Sequence, residues 1–154
     1  ENHSRVASVY NDIGEIYSVQ GDDFKALDYF KKSLKIVLSV YGENHSQVSS
    51  IYDHIGEVYF AQKDYSKALY YFEESLKIRL SLFGENHPEV ALSYYSIGSL
   101  YIIQGDKSKA LNYYEKSLKI RLSVYGENHP LTKEIMDLIN VANSKVLQSP
   151  ETTK

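Results

Sequence analysis

The 154-residue chain sets 17 Lys and Arg against 20 Asp and Glu, a net charge of −3, so it carries no field strong enough to gather nucleic acid. It has no cysteine, which excludes disulfide and thiolate chemistry, and no apolar run approaches the roughly 18 residues of a membrane span. With 43% hydrophobic and 24% charged residues and no signal-like segment, the composition is that of a soluble globular chain with a cytoplasmic setting as the expectation.

The chain repeats itself. Glu-Asn-His stands at Glu1, Glu43, Glu85 and Glu127, a period of 42 residues, with Gly42, Gly84 and Gly126 just ahead of the three later copies. Blocks 43–84 and 85–126 agree at 24 of 42 positions without a gap. A fixed period between about 20 and 50 residues marks a stacked array, in which each unit buries its apolar face on its neighbours. The chain begins in register with its own repeat and without an initiating Met, as a piece of a longer array would.

In chain order, each copy reads as two helices. In repeat one (about 1–42) the break is Gly21-Asp22; in repeat two (about 43–84) it is Lys63-Asp64; in repeat three (about 85–126) it is Gln104-Gly105-Asp106. Gly at such a break takes the left-handed conformation that closes a helix, and Asp caps the next one. Lys63, where the other copies have Gly, departs from the pattern. In repeat three Val90, Tyr94, Ile97, Leu100 and Tyr101 recur at helical spacing, and after the break so do Ala110, Leu111, Tyr114, Leu118 and Leu122. Pro88 suits a first helical turn. Each helix is about 17 residues, roughly 25 Å long. After Pro130, residues Ile135, Leu138, Ile139, Ala142 and Val146 make one apolar face, opposite Lys133, Asp137 and Lys145, so a capping helix is predicted over about 130–148. Residues 149–154 read as a disordered tail. The predicted organisation is a single array over 1–148.

Histidines and carboxylates invite a metal reading, but His3, His45, His87 and His129 occupy equivalent junctions. Helices pack about 8–10 Å apart, whereas zinc needs its nitrogens about 2.0–2.1 Å from one centre. The plainer account is a junction hydrogen bond that helps the next helix start. His54 stands by itself, where the other copies have Asp12 and Ser96. No nucleophile turn, phosphate cradle or metal-spaced pair is present, so no catalytic residue, metal or cofactor is assigned and the chain reads as a non-enzyme. Most of the 15 tyrosines are repeat positions multiplied by three, with Tyr70, Tyr71, Tyr95 and Tyr113 as extras. Lys and Arg gather on the second helices (Lys31, Lys32, Lys35, Lys77, Arg79, Lys116, Lys119, Arg121), which reads as an outer layer. They are not interleaved with aromatics as nucleic-acid stacking requires.

The series Tyr10, Gly14, Tyr17, Ala26, Phe30, Ser33 recurs as Tyr52, Gly56, Tyr59, Ala68, Phe72, Ser75 and as Tyr94, Gly98, Tyr101, Ala110, Tyr114, Ser117. It resembles the tetratricopeptide repeat. The 42-residue period and the junction at 122–130 resemble the kinesin-light-chain-type subgroup. The resemblance implies an all-α, right-handed α-solenoid of three helix pairs plus the capping helix, and a non-enzymatic scaffold or adaptor that binds a peptide or partner segment in its concave groove. It places Ser8, Asn11, Glu15 and Ser18, then Ser50, Asp53, Glu57 and Phe60, then Leu92, Tyr95, Ser99 and Ile102 on that groove, with Glu134, Asp137 and Val141 from the cap. Of the subgroup's paired groove asparagines only Asn11 matches, with Asp53 and Tyr95 at the equivalent places, and the basic lining suited to acidic peptides is absent. The lining runs from acidic and polar to aromatic and aliphatic, which suits a ligand with Lys or Arg followed by bulky apolar residues. The alternatives are a structural array that associates end to end through the apolar edge of its first helix, and a regulatory array within a larger protein.

Overall fold

The computed structural model describes residues 2–144. Seven helices follow in order: α1 (Asn2–Val19), α2 (Asp23–Tyr41), α3 (Ser46–Ala61), α4 (Tyr65–Phe83), α5 (Pro88–Ile103), α6 (Lys107–Tyr125) and α7 (Pro130–Ser144). No strand occurs among the described residues. The predicted tail at 149–154, the last turn of the capping helix (145–148), and Lys145 and Val146 with it lie outside the described residues. Two compact units are present, Glu1–Glu85 with α1 to α4 and Asn86–Lys154 with α5 to α7.

Within a helix pair the turn follows from one aspartate. Asp22 N–H donates to Tyr17 O at 2.9 Å and Gly21 N–H to Ser18 O at 3.0 Å, the Schellman closure of α1. The same Asp22 then caps α2: its carboxylate accepts from Lys25 N–H at 3.2 Å and its carbonyl from Ala26 N–H at 2.9 Å. Asp64 and Asp106 repeat both roles. The left-handed residue is Gly21 at φ 76°, Gly105 at φ 82° and, as its position predicts, Lys63 at φ 62°.

The second kind of junction is capped by histidine. His45, His87 and His129 Nδ1 accept from Gln47, Glu89 and Leu131 N–H, each at 3.2 Å. The His45 ring also stacks on Tyr41 (4.2 Å, 11°) and the His129 ring on Tyr125 (4.5 Å, 20°). His3 departs from the expectation, because it lies inside α1.

Helices of a pair approach closely at glycine. A Cβ on Gly14 would stand 2.6 Å from the Phe30 ring, one on Gly56 2.7 Å from Phe72, and one on Gly98 2.7 Å from Tyr114. The missing side chain therefore admits a whole aromatic ring, and full burial of such a ring is worth roughly 1.5–3 kcal/mol. Ser33 Oγ donates to Ala7 O at 2.7 Å and Ser117 Oγ to Ala91 O at 2.8 Å, so these buried hydroxyls are satisfied across the pair. In the first unit Ala26, Phe30 and Val37 of α2 share one buried cluster with Val48, Ile51, Ile55 and Val58 of α3. In the second, Thr132 Oγ1 donates to Arg121 O at 3.4 Å, fastening α7 to α6, and Ile135 is fully buried.

The tyrosines form a repeated stack, which corrects the reading of Tyr71 and Tyr113 as extras. With Tyr29 they hold one register position on the second helix of each pair. They lie nearly parallel to Tyr17, Tyr59 and Tyr101 at 5.6–5.8 Å. Lys25, Lys67 and Lys109 reach over those same rings at 4.9, 5.0 and 5.2 Å while pairing with the capping aspartates.

Among the described residues no helix is long and apolar enough to cross a membrane.

Candidate protein-interaction faces

The residues that the resemblance assigns to a groove fall on both units, and each unit brings its own set together. In the first, Ser8 and Asn11 from α1 and Gln47, Ser50 and Ile51 from α3 border a cleft of about 100 Å³ floored by Ser33 and Val37 of α2. One turn further along, Asn11 Nδ2 donates to Glu15 Oε1 at 2.5 Å, which fixes the amide so that its oxygen faces His54 Nδ1 at 3.1 Å. An amide oxygen only accepts, so Nδ1–H is the donor. His54 lies 3.7 Å from the Glu15 carboxylate and tilts against the Phe30 ring at 5.2 Å. The histidine that stood by itself in the sequence is thus one corner of a polar cluster spanning α1 and α3.

Asp53 and Glu57 extend this cluster. Arg79 reaches from α4 to the Asp53 carboxylate at 2.6 Å. Burial pushes the Asp53 carboxyl above the ordinary aspartate value, against the pull of Arg79, the Ser75 hydroxyl and His54. Glu57 keeps solvent access, yet its surroundings raise its carboxyl too: desolvation comes first, the like charges of Asp53 and Glu15 add to it, and His54 opposes. Ser18 is half-buried, and Phe60 packs edge-on against Tyr65, the first residue of α4 (5.8 Å, 63°).

On the second unit Tyr95 donates to Glu134 Oε1 at 3.3 Å, and Arg121 donates to the other oxygen of Glu134 at 3.3 Å and to Leu131 O at 2.6 Å. The Arg121 guanidinium lies 5.1 Å from the centre of the Tyr95 ring. Ser99 Oγ meets Tyr114 OH at 3.1 Å. Ile102 opens onto an apolar cleft with Tyr114, Leu138, Val141 and Ala142, whereas Leu92 borders another with Pro88, Arg121, Tyr125 and Leu131. Asp137 is exposed on α7 and borders neither.

Arg79 and Arg121 overturn one sequence expectation. They are not part of an outer cationic layer: each is only 4% exposed and turned toward a first-helix residue, so the Asp53 region does contain an arginine. The signal was present in the register. Val37, Arg79 and Arg121 hold the same position, and Val37 too is buried, at 2% exposed.

The geometry and the sequence agree with known proteins. The tetratricopeptide repeat pattern matches residues 5–81 and 54–123, and the chain belongs to that family. Its architecture is the all-α solenoid class built of such helix pairs. A putative kinesin light chain of Podosopora anserina with nearly identical repeats is similar at 18% identity and a TM-score of 0.79, over 96% of this chain and 71% of that one. BtubC (BKLC) from P. vanneervenii is similar at 19% identity and 0.74, over 96% and 67%. The N-terminal domain of stress-induced protein-1 (STI-1) from C. elegans is similar at 19% and 0.64, over 90% and 98%. The sequence matches no curated protein. The family is one of protein-interaction scaffolds, typically without enzymatic activity.

Proposed function

We propose that the chain is a non-enzymatic interaction module that binds extended or helical peptide segments on its first-helix faces, the first unit offering a seat for a basic residue and the second a seat for bulky apolar residues. The observation that carries this reading is the convergence of Asn11, Glu15, His54 and Glu57 beside an open cleft lined by Ser8 and Ser50. Glu15 and Glu57 are exposed and, among the described residues, neither pairs with a Lys or Arg, whereas Asp53 is engaged by Arg79. The acidic character available to a ligand therefore rests on the two glutamates. A carboxylate such as Glu57, whose ionisation is made costly by desolvation and by nearby carboxylates, gains when a Lys or Arg joins it. On the second unit, Ile102, Leu138 and Val141 offer an apolar seat.

A peptide array with fluorescence-anisotropy titration tests this. Peptides with Lys or Arg followed by Leu, Ile or Phe should bind best, and Glu15→Lys with Glu57→Lys should weaken them about tenfold or more, in a salt-dependent way. Tighter binding of acidic peptides, or binding indifferent to both substitutions, would overturn the reading.

A further inference from the structure

Each helix pair sets a first-helix tyrosine against a second-helix tyrosine: Tyr10 with Tyr29, Tyr52 with Tyr71 and Tyr94 with Tyr113, ring centres 5.7–6.0 Å apart. One turn beyond the second tyrosine stands Lys32, Glu74 or Lys116. In repeats one and three that lysine is laid on the rings. Lys32 Nζ lies 4.8 Å from the centre of Tyr29 while pairing with Asp28 at 2.6 Å, and Lys116 Nζ lies 5.5 and 5.3 Å from Tyr94 and Tyr113. In repeat two the position holds a carboxylate. Among the described residues no Lys or Arg lies over Tyr52 or Tyr71.

The space beside these two rings has the makings of a cation seat. It is a cleft of about 440 Å³ bordered by Tyr52, Tyr70, Glu43 and Glu74 and floored by Ile78. Tyr70 brings a third ring, edge-on to Tyr71 at 5.2 Å, where the other repeats place Asp28 and Asn112. Burial first, then Tyr70, Glu74 and Glu43, push the Tyr52 hydroxyl above the ordinary phenol value, so both carboxylates bear on the same ring. Lys77 stands at the rim, its side chain 78% exposed, and meets Glu74 only at 4.0 Å. The equivalent cleft of repeat one, about 480 Å³, is bordered instead by Lys32 and Lys35. Two successive repeats thus present the same hollow with opposite charge.

We propose that the cleft between α3 and α4 is a second binding site, made for the side chain of a lysine on a partner protein. Lysine is the group that the molecule itself seats on this ring pair in its other two repeats. The incoming ammonium takes the place over Tyr52 and Tyr71 that Lys32 and Lys116 hold in their own repeats, with Glu74 and Glu43 as its counter-charges. Its methylene stem lies along Ile78 and Tyr70. The site shares no residue with the cluster of Asn11, Glu15, His54 and Glu57.

The test titrates the 154-residue chain with Nα-acetyl-lysine methylamide and with its norleucine, glutamate and Nε-trimethyl-lysine counterparts, following the tyrosine ring resonances by NMR. The lysine probe should shift Tyr52 and Tyr70, and the norleucine and glutamate probes should leave them in place. Glu74→Lys supplies the cation that repeats one and three already carry and should abolish the shift. Glu43→Gln with Glu74→Gln should weaken binding about tenfold. Glu15→Lys with Glu57→Lys, which disables the first-helix site, should leave the Tyr52 and Tyr70 shifts intact, so the two readings fail separately. Unmoved Tyr52 and Tyr70 resonances, an equal response to norleucine, or an undiminished response in both Glu74 variants would overturn the proposal. So would tighter binding of the trimethyl probe, since the cleft would then be a seat for a quaternary ammonium.

Discussion

Arg79 and Asp53 stand 26 residues apart and meet at 2.6 Å, the same spacing pairs Arg121 with Tyr95, and Val37 and Asn11, again 26 apart, border one cleft. Each repeat thus fills one structural position differently: with an ion pair, with a cation resting on a ring, and with an aliphatic group that shares a cleft with an amide. The residue from the second helix is buried in all three, so the identity of its first-helix partner is constrained.

Breaking one side of the buried ion pair should be costly. Arg79→Val is expected to lower stability by about 3 kcal/mol, because Asp53 keeps its desolvation and loses its nearest cation. Transplanting the repeat-one partnership, Asp53→Asn with Arg79→Val, should recover most of that loss. Denaturant titration of the two singles and the double closes the cycle, and additive losses would contradict the coupling.

Gly56→Ala should destabilise by about 1–3 kcal/mol, although the same exchange in an exposed helix stabilises, since the new Cβ would stand 2.7 Å from the Phe72 ring. Adding Phe72→Leu should reduce the penalty of the alanine. A melting temperature raised by Gly56→Ala alone would contradict the close approach.

Lys63→Gly should raise the melting temperature by about 2–4 °C, the equivalent of roughly 1 kcal/mol released from a left-handed non-glycine residue. Gly21→Ala and Gly105→Ala should shift it the other way. Thermal denaturation followed by circular dichroism suffices for all three.

Glu57→Gln should stabilise the protein at neutral pH. A carboxyl raised in the folded state is bound to its proton more tightly there than in the unfolded chain. The stability it contributes is therefore fully present below the ordinary glutamate value of 4.5 and is lost as pH rises through the higher folded value. Melting temperatures of the two proteins should converge below about pH 4 and separate above it, the variant being higher. A variant that melts lower at pH 7 would reverse the sign.

The helices and turns were legible because each rests on a local chemical necessity repeated three times: Gly or Lys63 at the left-handed site, Asp at the cap, and an aromatic-sized gap at Gly14, Gly56 and Gly98. Partnerships across helices were harder to read. Nothing in the text of α4 says that Arg79 turns inward, because a helix rich in Lys and Arg looks the same whether one of them is buried or none is. Comparing copies at fixed register would have exposed it, since Val37 holds the same place. His54 misled in the opposite sense. Its companions Asn11 and Glu15 lie a whole repeat away in sequence, so its neighbourhood was visible only once α1 and α3 were brought side by side.

Asp22, Asp64 and Asp106 each end one helix with the backbone and begin the next with the side chain, so only three residues separate the two rods of a pair. Such an elbow has no slack. Evolution can rewrite the residues displayed on either rod while the angle between the rods is inherited unchanged, which lets a module of this kind acquire new ligands without having to be refolded around them.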